Sequence, residues 1–317
     1  MSVIRRHRWL QGVLLFGPAA IWALAFIVAP TGFAFLMSLW RFATFELVHD
    51  WNLDSYKAIL ERSIYHDPFW TSLQYGAAAA VLSVALSLPV AHYIHFRARR
   101  KLLLFGAVVI ALWMGYLLRI FGWRIVLGRS GVVNSVLMDV GLIDEPLTFL
   151  LYSPFAVILS QTHLAMPFAF IPIFAAMERL PRSVMQAGAD LGASPRRQLL
   201  NVELPLISGG VITGATFAFV LAFGDYFAPA LVGSPSSVAI GSVAGDQFGG
   251  ALNWPQGAAI GIAMLLVVLL VMAVPQIGRR IARGVRRRQE RGDARLLERE
   301  RAQAAAREDE RVPEAVA

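Results

Sequence analysis

Uncharged stretches long enough to cross a bilayer alternate with short charged ones along this chain. A spanning helix takes about 20 consecutive, mostly apolar residues. Cut at every Asp, Glu, Lys and Arg, the sequence leaves six such stretches, at 9–40, 68–96, 102–118, 146–177, 204–224 and 247–278. The third is the shortest, and several of the others exceed what a bilayer needs, which implies tilt or interfacial residues. A soluble protein can hide one such run in its core. Six in one chain predict an all-α membrane protein with six transmembrane helices within 1–278, followed by a charged tail at 279–317.

The segments between the runs predict small elements of their own. In 41–67, Leu53, Tyr56, Ile59 and Leu60 have the spacing of a short amphipathic helix lying on the membrane surface. The stretch 119–145 is punctuated by Gly122, Gly128, Gly131 and Gly141 and carries the apolar Val132, Val133, Val136 and Leu137. It predicts an interfacial or re-entrant helix. The stretch 225–246 has no basic residue and is rich in Gly, Pro and Ser. Irregular backbone is expected there, which a membrane permits only beside protein or water.

Basic residues orient the bundle. Arg5, Arg6 and Arg8 precede the first run, Arg97, Arg99, Arg100 and Lys101 separate the second from the third, and Arg179, Arg182, Arg196 and Arg197 lie between the fourth and fifth. The tail adds twelve Arg, whereas the opposite side holds six basic residues. The positive-inside rule then places both termini in the cytoplasm, in agreement with an even number of spans. Arg5-Arg6-His7-Arg8 and the following apolar run resemble a secretory signal, with Ala23-Leu24-Ala25 as a cleavage site. The run continues well past that point, so a retained first helix is expected.

Composition agrees with this picture. Hydrophobic residues make up 57% and charged residues 16%, and the mean hydropathy is +0.58. Cys is absent, which excludes disulfides, cysteine-based zinc sites and thiol chemistry. The net charge of +8 is a topology signal rather than a nucleic-acid footprint. In the tail, Arg279, Arg280, Arg283 and Arg286 to Arg288 suit anionic lipid headgroups.

The segment between the fourth and fifth runs carries the most information. Helix signals start at Pro181 to Ser183, the pattern breaks at Gly192, and Ser194-Pro195 opens a second short helix ahead of Leu204-Pro205. Val184, Ala187, Leu191, Leu199 and Val202 form an apolar stripe flanked by Arg. The residues predict a helix–Gly–helix across the cytoplasmic face over 181–203. It is either a plain amphipathic connector or a lever that carries motion from a soluble partner into the bundle.

Gln186-Ala187-Gly188-Ala189-Asp190-Leu191-Gly192-Ala193-Ser194, followed by Val202-Glu203-Leu204-Pro205, resembles the coupling motif of binding-protein-dependent ABC importer permeases. Gln186 stands where the family usually has Glu, and Gly188 where it has Ala. The resemblance extends through Ile120 to Asn134, Gly141 to Pro146, Gly224 to Gly233, Asp246-Gln247-Phe248 and Asn253-Trp254-Pro255, where the chain is similar to permease subunits of the spermidine/putrescine type. The resemblance implies a type I importer fold in a bacterial inner membrane. It also implies a second permease, two ATP-binding subunits that hold ATP and Mg, and an external solute-binding protein. Gln186, Ala187, Gly188, Asp190, Leu191, Gly192, Ala193, Ser194 and Pro205 become the residues expected to couple to the ATPase.

The chain has no engine of its own. A phosphate-cradling Walker loop needs a Gly-Lys pair, and none occurs. Leu206-Ile-Ser-Gly-Gly faintly echoes an ABC signature but opens a spanning run. His92 and His95, at i and i+3, suit interfacial packing better than a metal. No catalytic residue, metal site or cofactor is expected in this chain.

Substrate would meet polar and aromatic groups at membrane depth. Asp225, with Tyr226 beside it, lies about 20 residues beyond Pro205, or roughly 30 Å of helix, and so near the outer side. It either attracts cations at the mouth, ends a helix at the interface, or pairs with Arg119 or Arg124. Gln74, Tyr75, Trp113, Tyr116, Gln161 and His163 either join the pathway or serve as interhelical hydrogen bonds and an aromatic belt. Gly210 with Gly214, and Gly257 with Gly261, have the spacing for close helix packing against another span or a second permease. The alternatives are import of another small organic solute, or a secondary carrier working without ATP. A carrier would show acids at mid-depth and inverted repeats, and neither stands out.

Overall fold

A computed structural model describes residues 8–43 and 46–278. The expectations about Arg5, Arg6 and the lipid-directed arginines from Arg279 onward lie outside the described residues. The chain falls into two units, Met1–Leu266 and Val267–Ala317. Of the second, residues 267–278 are described, and they continue the helix that begins at Trp254.

Helix α1 runs over 8–38, with a π turn at Leu24–Val28. A small hairpin, β1 (Arg41–Ala43) and β2 (Glu46–Val48), follows, with Arg41 opposite Val48. Then come α2 (Asp54–Glu61), α3 (Ser63–Phe96), α4 (Lys101–Trp113), α5 (Tyr116–Leu127), α6 (Val132–Asp139), α7 (Pro154–Met177) and α8 (Arg182–Asp190). The chain continues through α9 (Pro195–Phe223), α10 (Phe227–Val232), α11 (Ile240–Phe248) and α12 (Trp254–Gly278). Five of these are long and apolar enough to cross a membrane.

The third apolar run departs from expectation. It forms no straight span: α4 ends in a tight 3₁₀ turn, Met114 and Gly115 are extended, and the chain resumes in α5 at a bend of 95°. A sixth span exists only if this bent pair counts as one. Other boundaries also shift. Residues 146–153 hold only a 3₁₀ turn, because Pro154 is the first residue of α7 and Ser153 caps it. The second short helix after Gly192 is not separate, since it is the first turn of α9. The segment 225–246 is less irregular than its composition implies and contains α10 and most of α11.

Both π turns share a cause. Leu24–Val28 ends two residues before Pro30, and Leu199–Glu203 ends two residues before Pro205. A proline inside a helix removes one N–H donor and pushes on the carbonyl four residues back. One extra residue in the turn relieves that clash without ending the helix.

The core is the mutual packing of α3, α7 and α9. A Cβ on Gly210 would stand 2.3 Å from the Pro172 carbonyl oxygen, and one on Gly214 would stand 2.6 Å from that of Ala169. The first glycine pair therefore seats α9 against α7 of the same chain. Of the second pair, Gly257 admits the Phe248 ring of α11, which lies 2.9 Å from where a Cβ would stand, and Gly261 faces open space. Ser83 and Ser87 of α3 donate to the carbonyls of Thr162 (3.1 Å) and Met166 (3.2 Å) on α7. These bonds stitch the two helices at a spacing of one turn. In α2, Ile59 is buried beside Tyr56, while Leu53 and Leu60 remain exposed. Between 14 and 36, α1 has no buried side chain.

Candidate functional site

The segment after α7 forms an exposed elbow. Among its described side chains, helix α8 buries none, and it packs mainly on the first turns of α9. Its C-terminus closes as a Schellman turn. The Gly192 N–H donates to the Ala189 carbonyl at 2.9 Å, and the Ala193 N–H to that of Gly188 at 3.0 Å. Gly192 takes φ +75°, which a residue with a Cβ adopts only under strain. Ser194 then accepts a hydrogen bond from the Arg197 N–H and caps α9. Gly188 lies against the Gln198 side chain, whose amide donates to the Ala193 carbonyl at 3.3 Å. The elbow is therefore internally braced.

Gln186, Ala187, Asp190 and Leu191 all point away from the bundle, and Leu191 is 88% exposed. Of the expected apolar stripe, Ala187 and Leu191 are thus uncovered, whereas Val184, Leu199 and Val202 are half-buried. Pro205 follows the π turn, and that turn draws Glu203 inward until it is fully buried. His92 of α3 donates from Nδ1 to both Glu203 oxygens, at 2.9 and 3.0 Å. Nearby, His95 Nδ1 donates to Glu178 at 2.7 Å, and Lys101 lies 3.7 Å from the same oxygen. The hydrogen bond from His95, reinforced by both cations, holds the Glu178 carboxyl below its ordinary value of 4.5. The histidines thus tie the base of the elbow to the core, a role that spacing alone did not reveal.

A polar cluster sits at the far end of α9. Asp225 is only 7% exposed. Its Oδ1 accepts from the Tyr116 hydroxyl and from the backbone N–H groups of Phe227 and Ala228. Its Oδ2 accepts from Gln161 Nε2 at 3.2 Å. Four donors hold this carboxylate, and it forms no ion pair with Arg119 or Arg124 among the described residues. These residues border a cavity of about 250 Å³ together with Arg119 and an apolar wall. Arg119 is 8% exposed, and its Nε and Nη1 have no hydrogen-bond partner, nor does Gln161 Oε1. Such groups mark an interior that water, solute or a neighbouring chain completes.

Three of the eight pathway residues named from sequence, Tyr116, Gln161 and Asp225, therefore meet in one cluster. Tyr75 is buried in the core beside Ile120 and Val157. Gln74 and Trp113 are exposed and join nothing in the cluster. His163 accepts a hydrogen bond from Trp123 at 3.1 Å. Tyr226 is 40% exposed and faces a second cavity with Tyr152 and Asp246. Nothing in the local sequence pattern distinguishes those two residues.

Known proteins resemble this chain in sequence and in fold. The family model described as "Binding-protein-dependent transport system inner membrane component" matches residues 4–287. The spermidine/putrescine transport system permease protein PotB of Escherichia coli is 30% identical over 252 residues, covering 76% of this chain and 90% of the relative. PotB of Haemophilus influenzae is 31% identical over 214 residues, covering 67% and 74%. The inner membrane ABC transporter permease protein YdcU of Escherichia coli is 31% identical over 258 residues, covering 75% and 81%. A crystal structure of a bacterial ABC transporter involved in import of the acidic polysaccharide alginate superposes with a TM-score of 0.68 at 18% identity, covering 88% of this chain and 98% of that one. ATP hydrolysis in such importers falls to partner subunits, and permeases of this kind pair with another permease. The chain thus belongs to the binding-protein-dependent transport system inner membrane components, the permease subunits of ABC importers.

Proposed function

We propose that this chain is one of two permease subunits of an ATP-driven importer for polyamines of the spermidine/putrescine class. Both termini and the α8 elbow lie on the cytoplasmic side of a bacterial inner membrane. The second permease, two ATPase subunits holding ATP and Mg, and an external solute-binding protein complete the complex.

The observation that carries this reading is the braced elbow with its uncovered apolar stripe at Ala187 and Leu191. An ATPase subunit that closes on ATP pushes such an elbow. Because α8 turns directly into α9, and Glu203 of α9 is tied to His92 of α3, the push reaches the core as a rigid-body movement. Access to the pathway then alternates between the two sides. The similarity to PotB supports the polyamine class. Tyr116, Gln161 and Asp225 form the part of the pathway nearest the outer side, where Asp225 anchors the start of α10 rather than standing free.

The test is reconstitution with the cognate second permease, ATPase subunits and binding protein in proteoliposomes. ATP-dependent uptake of spermidine or putrescine is expected. Absence of uptake of either, in a complex that hydrolyses ATP, overturns the substrate reading. Purification without any ATPase subunit overturns the importer reading.

A further inference from the structure

At the end of the bundle opposite the elbow, a cavity of about 680 Å³ opens among α10, α11 and the residue before Ser153. Its size falls in the range of small-molecule sites. Asp246 is the one charged side chain in its lining, which also includes Tyr152, Tyr226, Ser234 and Ser242. Asp246 forms no ion pair with any described residue. From Asp225 to Gly278 the chain contains no Lys or Arg, so α10 and α11 bring negative charge only, and the cation beside the cavity is Arg124, engaged on the Tyr152 hydroxyl.

The aromatic side of the cavity is held in place. A Cβ on Gly245 would stand 3.1 Å from the Tyr226 ring, so the missing side chain lets that ring lie on α11. Phe227 packs edge-on against the same ring, at 5.0 Å and 86°. Tyr152 has φ +54°, one of two non-glycine residues with positive φ among the described residues. Such strain clusters where structure serves a site. The Arg124 guanidinium donates to the Tyr152 hydroxyl at 3.0 Å and fixes that ring, leaving Tyr226 as the free aromatic face.

We propose that this cavity receives a protonated amine of the imported solute, with Asp246 supplying the counter-charge, the Tyr226 ring a cation–π face, and the serine hydroxyls acceptor oxygens. A carboxylate, an aromatic face and neutral oxygens together suit an ammonium group, and no lining cation suits an anion. Concave walls of low dielectric focus the field of the single carboxylate onto the entering charge. The inference rests on the reading of this chain as a polyamine importer subunit, and it moves the cation-binding role from the saturated Asp225 to Asp246.

Uptake of spermidine and putrescine by the full reconstituted complex tests it. Asp246→Asn is expected to lower uptake at limiting substrate by about tenfold, the scale of one hydrogen bond to a charged group. The loss should be larger for spermidine than for the less charged putrescine, and Asp246→Glu should restore much of it. Tyr226→Leu is expected to lower uptake about fivefold, and Tyr226→Phe to retain it. Wild-type uptake with unimpaired Asp246→Asn and Tyr226→Leu variants overturns this inference and leaves the polyamine reading standing. Equal loss for both substrates, with weaker retention of the binding protein in a pull-down, makes the cavity a docking surface for that protein and overturns it too. No polyamine uptake by the wild-type complex overturns both readings.

Discussion

His92 on α3 donates from one ring nitrogen to both oxygens of Glu203, a carboxylate with no solvent exposure at the base of the elbow. The two residues are 111 positions apart in the chain. The pair joins the exposed elbow to the helix at the centre of the core.

Breaking this pair from one side is expected to be costly. His92→Ala removes the hydrogen-bond partner of the fully buried Glu203, which costs about 1–3 kcal/mol. Replacing both groups, as in His92→Leu with Glu203→Leu, should cost far less. Thermal unfolding in detergent measures the difference. Equal stability of the single and double variants would show that the pair does not bear on the fold.

The elbow should be sensitive to conformation and to surface chemistry separately. Gly192→Ala forces a Cβ into left-handed backbone and costs about 1–2 kcal/mol locally. Leu191→Asp adds no strain but places a charge on the uncovered stripe. Both are expected to depress ATP-driven uptake while membrane levels of the protein hold. Co-purification should show less ATPase subunit with Leu191→Asp. Normal uptake by both variants would remove the docking role.

Gly210 and Gly261 make opposite predictions although both belong to glycine pairs of the same spacing. Gly210→Ala drives a Cβ into the Pro172 carbonyl, an overpacking that costs about 1–3 kcal/mol. Gly261→Ala meets nothing within 4 Å and should be neutral, or stabilising by up to about 1 kcal/mol through helix propensity. Unfolding midpoints of the two variants decide the matter.

Glu178 gives a pH dependence of known sign. Its carboxyl titrates below the ordinary 4.5 in the folded chain because His95 and Lys101 favour the ionised form. That stability is fully present above pH 4.5 and is lost as pH falls from there through the lower folded value. Glu178 is half exposed, so the contribution is small. Glu178→Gln is expected to flatten the acid limb of the unfolding-temperature profile. An unchanged limb would assign acid sensitivity elsewhere.

Features that depend on local rules were legible in the amino-acid sequence. Charge-free runs located five spans because a backbone in lipid must satisfy its hydrogen bonds within a helix. The elbow was legible from Pro181, Gly192 and Ser194, since a helix end needs a left-handed residue and the next helix needs a cap. Features that depend on distant partners emerged only in the folded chain. The sequence alone could not bend the run at 102–118, because apolar content sets length and says nothing of a break at Met114 and Gly115. Nor could it separate Asp225 from Asp246. Both are lone acids in a stretch without basic residues, and only the approach of Tyr116 and Gln161, 109 and 64 positions away, saturates the first while the second stays open to a cavity.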